Sequence, residues 1–480
     1  MLKKQEFIRR EGRVASLFFL LFLLGAAGVG VRAEGVTILT HGFQAGTGES
    51  AWVAAMRDAV SNACLSGEKH YGTITVTGSA GSLTATCSPW DIGLATSTRC
   101  EILIVVDWSA VANHLVSGVT AQEVAAAVAP KIFQGQNGHP ALAELPIHLI
   151  GHSRGGGMIC ELARLLGLQG VEVDQLTTLD PHPLTASDPQ PPFPLPSIID
   201  TPVAVYENVL FVDNYWQNIA YPRGQSISGA YNRPWTSLPG GYHNHGDAAY
   251  SSVADHLNIH LLYHGTVDLD TPISDGQATL GTSERTAWFN VYESEGGTGG
   301  QKAGFFYSRI GIYGNRLSSD TPVSGGDAIK NGYHNDALLG GAGARSPLTW
   351  TSAVWPNVLA LEVLRGSTPL GPGGTGLAVG EQLTLRYTYR DCDSACEITF
   401  YVDQDRNPYN NNNLATIATR NPAATGSTLT QATEPWNTIG ISPMSEMYVY
   451  AKITDGIRTR YLYALQSFAI SPGVEGWQCF

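Results

Sequence analysis

The segment "LIGHSRGGGMICELARLLG", residues 149–167, sets Ser153 between a short apolar run and a helical pattern, with glycines on both sides. Gly151-His152-Ser153-Arg154-Gly155 fits G-x-S-x-G, a spacing that lets the chain turn sharply from strand into helix and lift the hydroxyl above a sheet. A serine hydroxyl is almost un-ionised at neutral pH, so it attacks only when a base takes its proton and a carboxylate orients that base. Two aspartates are read as strand-end residues after the serine, Asp180 in "TTLDPHPL" and Asp213 in "LFVDNYW", and either could orient the base. Histidines come next. His256 in "VADHLNIHLLYHGTVD" is expected on a loop that opens a helix, free to reach Ser153, while His243 and His245 in "GGYHNHGD" are the alternative bases.

A tetrahedral intermediate also needs donors for its oxyanion. The backbone N–H of Arg154 begins the helix after Ser153, at the positive end of the helix dipole, and is the first candidate. The second is the N–H of Phe43 in "LTHGFQAGTGESAW", where Gly42 allows close approach. His256, His260 and His264 recur at helical spacing and could face a metal. The glutamate of the zinc-protease pattern is missing, so they read as core histidines, and neither a metal nor a cofactor is expected.

These groups need a scaffold that delivers them to one edge. Five short apolar runs read as buried parallel strands: Val36–Thr40, Ile102–Val106, Ile147–Ile150, Gln175–Leu179 and Val209–Val212. Each runs directly into a polar residue or glycine, and open parallel sheets bind ligands at the carboxyl ends of their strands. Helical patterns lie between them. One opens on the capping box Thr120-Ala121-Gln122-Glu123, and another follows Ser153 with Met158, Ile159, Leu162, Leu165 and Leu166 on one face. The alternation predicts an α/β fold with a mainly parallel central sheet covered on both sides.

That catalytic domain is expected over residues 34–366, with an irregular, glycine-rich extension over 266–366. "STPLGPGGTG" at 367–376 reads as a linker, and residues 377–480 alternate apolar and polar positions as in an antiparallel β-sandwich. Within the sandwich, Asp403, Asp405 and Asn407 alternate as in calcium loops. Without the glycine and distal glutamate of an EF-hand, they read as an asparagine-rich turn.

The first 33 residues pair Lys3, Lys4, Arg9, Arg10 and Arg13 with the apolar run "ASLFFLLFLLGAAGVGV" and a small-residue cleavage site after Ala33, the pattern of an export signal. The chain is therefore expected outside the cytoplasm: secreted, periplasmic or at the cell surface. Its 480 residues carry a formal net charge of −13, so nucleic acid is excluded as a partner on electrostatic grounds. Seven cysteines in an exported chain suggest disulfides, with Cys64, Cys87 and Cys100 clustered and Cys392 close to Cys396. Cys160, on the helix after Ser153, reads as a buried free thiol.

Taken together, "THGF" followed by Trp52, "VVDWS" at 105–109, "GHSRGG" at 151–156 and "LDP" at 179–181 resemble the α/β-hydrolase superfamily, and within it the pancreatic-lipase-like branch. The likeness spans roughly residues 36 to 268. It implies a serine hydrolase acting on carboxylic esters of lipids or related esters, with Ser153 as nucleophile and Phe43 and Arg154 as oxyanion donors. In that branch the acid follows the strand after the nucleophile helix, which falls on Asp180. The branch's cysteine-bounded lid has no counterpart between Asp180 and His256. The sandwich resembles immunoglobulin-like accessory modules of exported bacterial enzymes and would serve cell-surface or polymer binding. The other function class is a secreted adhesion or carbohydrate-binding protein on an inactive hydrolase scaffold, whose mark would be a broken triad.

Overall fold

The computed structural model describes residues 35–63, 70–88, 102–135, 140–219, 221–234, 254–268, 270, 272–283, 285, 304–307, 344–349, 354–370, 375–391 and 393–471. The expected export signal, His243, His245, Cys64, Cys100 and Cys392 lie outside them.

In chain order the first part comprises β1 (Val36–Thr40), α1 (Ala51–Ala63), β2 (His70–Ser79), β3 (Ser82–Cys87), β4 (Ile102–Asp107), α2 (Ser109–Ala112), α3 (His114–Ser117), α4 (Ala121–Phe133), β5 (Ile147–His152), α5 (Arg154–Leu168), β6 (Val173–Leu179), β7 (Val209–Trp216), β8 (Tyr231–Pro234) and α6 (Ala254–Val267). The eight strands form one sheet in the order β3-β2-β4-β1-β5-β6-β7-β8. Every neighbouring pair is parallel except the β2/β3 hairpin. This is a mixed α/β fold with a large, mostly parallel sheet.

Strand periodicity assigns alternate residues to two cores. Ile38, Ile104, Val106 and Leu149 share one with Val124, Val128, Met158 and Leu162 of α4 and α5. Leu39, Leu103, Val105 and Ile150 share the other with Trp52, Met56, Ile259 and Leu262 of α1 and α6. Because successive side chains point to opposite faces, an apolar run buried at every position requires cover on both sides. The Thr120–Glu123 capping box forms as expected: the threonine side chain accepts from the Glu123 N–H, and the glutamate accepts from the Thr120 N–H at 2.9 Å.

The second part holds β9 (Asn357–Arg365), β10 (Thr368–Pro369), β11 (Thr375–Ala378), β12 (Gln382–Arg390), β13 (Glu397–Asp403), β14 (Ala415–Arg420), β15 (Thr430–Asn437), β16 (Met444–Thr454) and β17 (Thr459–Ser471). They make two sheets, β10-β9-β12-β15 and β11-β17-β16-β13-β14, which enclose Val363, Leu385, Phe400, Val449 and Phe468. All their pairs are antiparallel except β11 with β17.

Two expectations change here. The sandwich begins at Asn357 rather than at residue 377, because β9 pairs along its length with β12. Its apolar positions lie in the expected extension and are recognisable as a sandwich strand only once their partner is known. The segment 367–376 is not a free linker either, since its two ends form β10 and the start of β11. The sandwich is also bonded to the first part through buried polar groups. Arg460 donates to the carbonyls of Leu145 and Glu172 at 3.2 Å each, Asn357 Nδ2 donates to the Gly170 carbonyl at 2.7 Å, and Arg390 pairs with Glu172. Around Asp405 the chain forms an asparagine-rich turn, as expected: its carboxylate accepts from the Asn407 N–H at 2.9 Å and from the side chains of Asn410 and Asn412 at 2.9 and 2.6 Å.

Cys160 is buried on α5, and burial pushes its thiol up to about 12, so it behaves as a small apolar residue.

Candidate active site

Strands β1, β5 and β6 are neighbours, and the loops at their carboxyl ends supply three of the four parts of the site, the fourth being His256 of α6. After β5 comes Ser153, with φ 58° and ψ −128°, a conformation that costs a non-glycine residue about 1–3 kcal/mol. Surrounding bonds hold it there. Its N–H donates to the Leu179 carbonyl at 2.9 Å, and its own carbonyl accepts from Gly156 at 2.9 Å and from His182 at 3.2 Å.

The glycines of the motif serve close approach. A Cβ on Gly151 would meet the Gly155 carbonyl oxygen at 2.4 Å, and one on Gly155 would meet the His41 carbonyl oxygen at 2.4 Å. Gly42, after β1, lies against Ser153 itself, since a Cβ there would sit 2.6 Å from Ser153 Cβ, 2.8 Å from the His152 oxygen and 3.1 Å from the Arg154 nitrogen. The loop carrying Phe43 is thereby drawn beside the first N–H of α5, where the sequence placed both oxyanion donors. We expect Gly42→Ala to lower kcat for a soluble ester about 100-fold, since displacing a reacting group by about 1 Å costs that much. Steady-state kinetics alongside thermal unfolding checks this: a fall in Tm with kcat unchanged would make the glycine purely structural.

The Arg154 side chain has a separate role. It is 1% exposed and turns into the protein, where Nε and Nη2 donate to the two Asp200 oxygens at 2.8 and 2.9 Å. Its other donors reach the carbonyls of Ala112 and Val119, and the guanidinium lies over the Trp108 ring at 5.2 Å. Burial works against the Asp200 anion, but the guanidinium outweighs it and holds the carboxyl below the usual carboxylate range. Asp200 also accepts from the N–H groups of Ala121 and Leu184 at 2.8 and 3.0 Å, tying α4 and the loop after β6 to the start of α5. Breaking a buried pair by removing one charge costs about 3–5 kcal/mol. Asp200→Asn should lose that much in denaturant unfolding, while the folded fraction keeps its activity.

Asp180 follows β6 with φ 45° and is fully buried. Its Oδ2 lies 2.6 Å from His256 Nδ1. The same carboxylate accepts from the Gln217 backbone N–H at 2.8 Å (Oδ1) and from Gln217 Nε2 at 3.0 Å (Oδ2). Gly224 leaves room for it, as a Cβ there would overlap Oδ1 at 2.0 Å.

Asp213 does not end a strand as expected. Strand β7 continues to Trp216, so Asp213 sits inside the sheet opposite Thr177, accepting from Thr177 Oγ1 at 2.6 Å and Gln175 Nε2 at 3.2 Å. Of the two aspartates, Asp180 is the one bonded to His256. His256 likewise is not on a loop. It lies in the first turn of α6 and is 5% exposed.

Of the other helical histidines, His260 lies behind the site, its ring 4.8 Å from that of His152. His260 Nδ1 bonds Asp275 at 2.5 Å, and its ring stacks on Trp52 at 4.7 Å, so the irregular segment after α6 contributes a second His–Asp pair. On the open side, His182 is held by the Arg223 carbonyl at 2.7 Å and Asp188 at 3.1 Å, with its ring edge-on to His256 at 6.4 Å. Burial opposes ionisation of Asp188, yet donors from Thr185, Tyr221 and His182 bring its carboxyl down to about 2. Sequence reasoning passed over Gln217, Asp200, His182 and Asp275. Only His182 carried a signal, through its place in "LDPH" beside Asp180.

The chain matches no family model and no curated protein. Several solved structures resemble a fifth to a quarter of its length. Examples are the C-terminal domain of wzt (7% identity, 25% of this chain and 77% of that one, TM-score 0.20) and a chitin binding domain from Burkholderia pseudomallei (10% identity, 21% and 57%, TM-score 0.16). A polysaccharide monooxygenase CBM33 is a third (15% identity, 21% and 60%, TM-score 0.14). Scores this low assign neither fold nor function.

Proposed function

We propose that this chain is an exported serine hydrolase of the α/β-hydrolase superfamily, close to its pancreatic-lipase-like branch, that cleaves carboxylic esters of lipids or related esters. The observation that carries the reading is the 2.6 Å bond between His256 and buried Asp180, at the sheet edge where Ser153 occupies a strained strand-to-helix turn. In this scheme His256 takes the Ser153 proton as Oγ attacks the ester carbonyl, and Asp180 keeps the Nδ1–H tautomer and steadies the imidazolium. The N–H groups of Phe43 and Arg154 receive the oxyanion. His256 then gives the proton to the departing alcohol, and water releases the acyl group by the same steps in reverse order of partners.

An apolar substrate is supported by what the loops at this edge expose. Phe43 is 44% exposed, and the loop after β6 presents Phe193 at 97%, Leu195 at 38% and Ile199 at 54%. The sandwich, read as an immunoglobulin-like accessory module, would hold the enzyme on a polymer or cell surface. A chain-length series of nitrophenyl esters, run below and above the solubility limit, tests the reading. Hydrolysis favouring acyl chains supports it, and a protein that neither turns over any ester nor reacts with an organophosphate at Ser153 would be the non-catalytic adhesion or carbohydrate-binding protein instead.

A further inference from the structure

His152 precedes the nucleophile by one peptide bond, and its side chain is enclosed, 4% exposed. Its Nε2 lies 3.0 Å from the backbone carbonyl oxygen of His256. A carbonyl oxygen only accepts, so Nε2 carries the hydrogen and donates. The ring is walled in by three others: His256 at 4.4 Å, His260 edge-on at 4.8 Å and Trp52 edge-on at 5.7 Å. Two of these walls are themselves fixed, since His260 is bonded to Asp275 and stacked on Trp52. The imidazole therefore cannot swing away from the carbonyl without displacing that group. Burial first, and then the proximity of His256 and His260, holds its protonation well below the usual histidine range, so the ring stays neutral and adds no charge beside the base.

We propose that His152 is a positioning residue for the catalytic base: by donating from Nε2 to the His256 carbonyl while attached to Ser153, it fixes the separation of nucleophile and base. The inference rests on the roles given above to Ser153 and His256. Asp180 holds the far side of the base ring and His152 holds its backbone, so the imidazole is located at two points instead of one. The N–H groups of a helix's first turn have no helical partner, so that turn is held through its carbonyls, and the His152 bond adds an anchor on that side.

The test compares His152→Phe, which keeps the ring and loses the donor, with His152→Gln, whose amide nitrogen falls nearly where Nε2 does. Both are assayed on a soluble nitrophenyl ester beside the wild type, with thermal unfolding as the control. The phenylalanine variant should keep its KM and lose kcat about 10- to 100-fold, the effect of a misplaced reacting group. Its organophosphate labelling at Ser153 should slow in parallel, and the glutamine variant should recover most of the loss. Should His152→Phe fail to fold, His152→Asn replaces it, because its shorter amide stops short of the carbonyl. A folded variant without the donor that retains wild-type kcat overturns the proposal, as does a folded glutamine variant as slow as the one lacking the donor. Wild type separates the two readings: if it turns over no ester, the proposed hydrolysis falls and this inference with it, whereas full turnover by the phenylalanine variant removes the positioning role alone.

Discussion

Ser153→Ala should fold normally and hydrolyse a soluble ester about 10⁶-fold more slowly than wild type, the scale of loss when a serine nucleophile is removed from its triad. The hydroxyl supplies the acyl-enzyme, so the two-step route disappears, and what remains is the contribution of binding and the oxyanion donors. Little folding cost is expected. Ser153 is held in its strained conformation through backbone groups, its N–H to Leu179 and its carbonyl to Gly156 and His182, and alanine keeps all three bonds. Labelling by an organophosphate, read as a mass shift, should vanish in the variant. Labelling that persists at another serine, with turnover intact, would return Ser153 to an ordinary residue of a glycine-rich turn.

Asp180→Asn should cut turnover about 10⁴-fold with KM almost unchanged. The hydrogen bonds around the carboxylate explain why so small a change matters. All three groups facing it donate: the Gln217 N–H, Gln217 Nε2 and His256 Nδ1. An asparagine offers one oxygen and one NH₂. If its oxygen stays with the Gln217 N–H, its NH₂ faces His256 Nδ1, and the imidazole must carry its hydrogen on Nε2 instead. In that tautomer it cannot accept the Ser153 proton. Asp213→Asn provides the contrast, because its carboxylate accepts from Thr177 and Gln175 within the sheet. It should lose about 1–3 kcal/mol of stability in urea unfolding while the folded protein keeps its kcat. If the two variants ranked the other way in turnover at equal folded concentration, the orienting role would move to Asp213.

Local pattern alone located much of this site. The Val36–Thr40 strand was legible to the residue, and the apolar cores of β4, β5, β6 and β7 were each found short by one to four residues. The turn around Ser153 was legible because glycine spacing is a local requirement, met by neighbours in sequence. The capping box at Thr120 was found for the same reason.

The choice between Asp180 and Asp213 was of another kind. Both follow an apolar run, so hydrophobic pattern leaves them equal, and it was the "LDP" likeness that leaned toward Asp180. The strand register distinguishes them, by pairing Thr177 with Asp213 and Leu179 with Tyr215, which leaves Asp180 at the sheet edge and Asp213 three residues inside the end of β7. The Gln217 bonds to Asp180, the Asp200 pair with Arg154, the Asp275 pair with His260 and the His152 bond to the His256 carbonyl likewise join residues 37, 46, 15 and 104 positions apart. The start of the sandwich at β9 was hidden in the same way, since a strand belongs to the sheet that contains its partner, and that partner is β12. Sequence determined the local conformations that side chains and glycines impose on their own backbone. Tertiary structure decided which donor meets which acceptor, because a buried polar group takes its partner from whatever the packing of distant elements brings within hydrogen-bond reach.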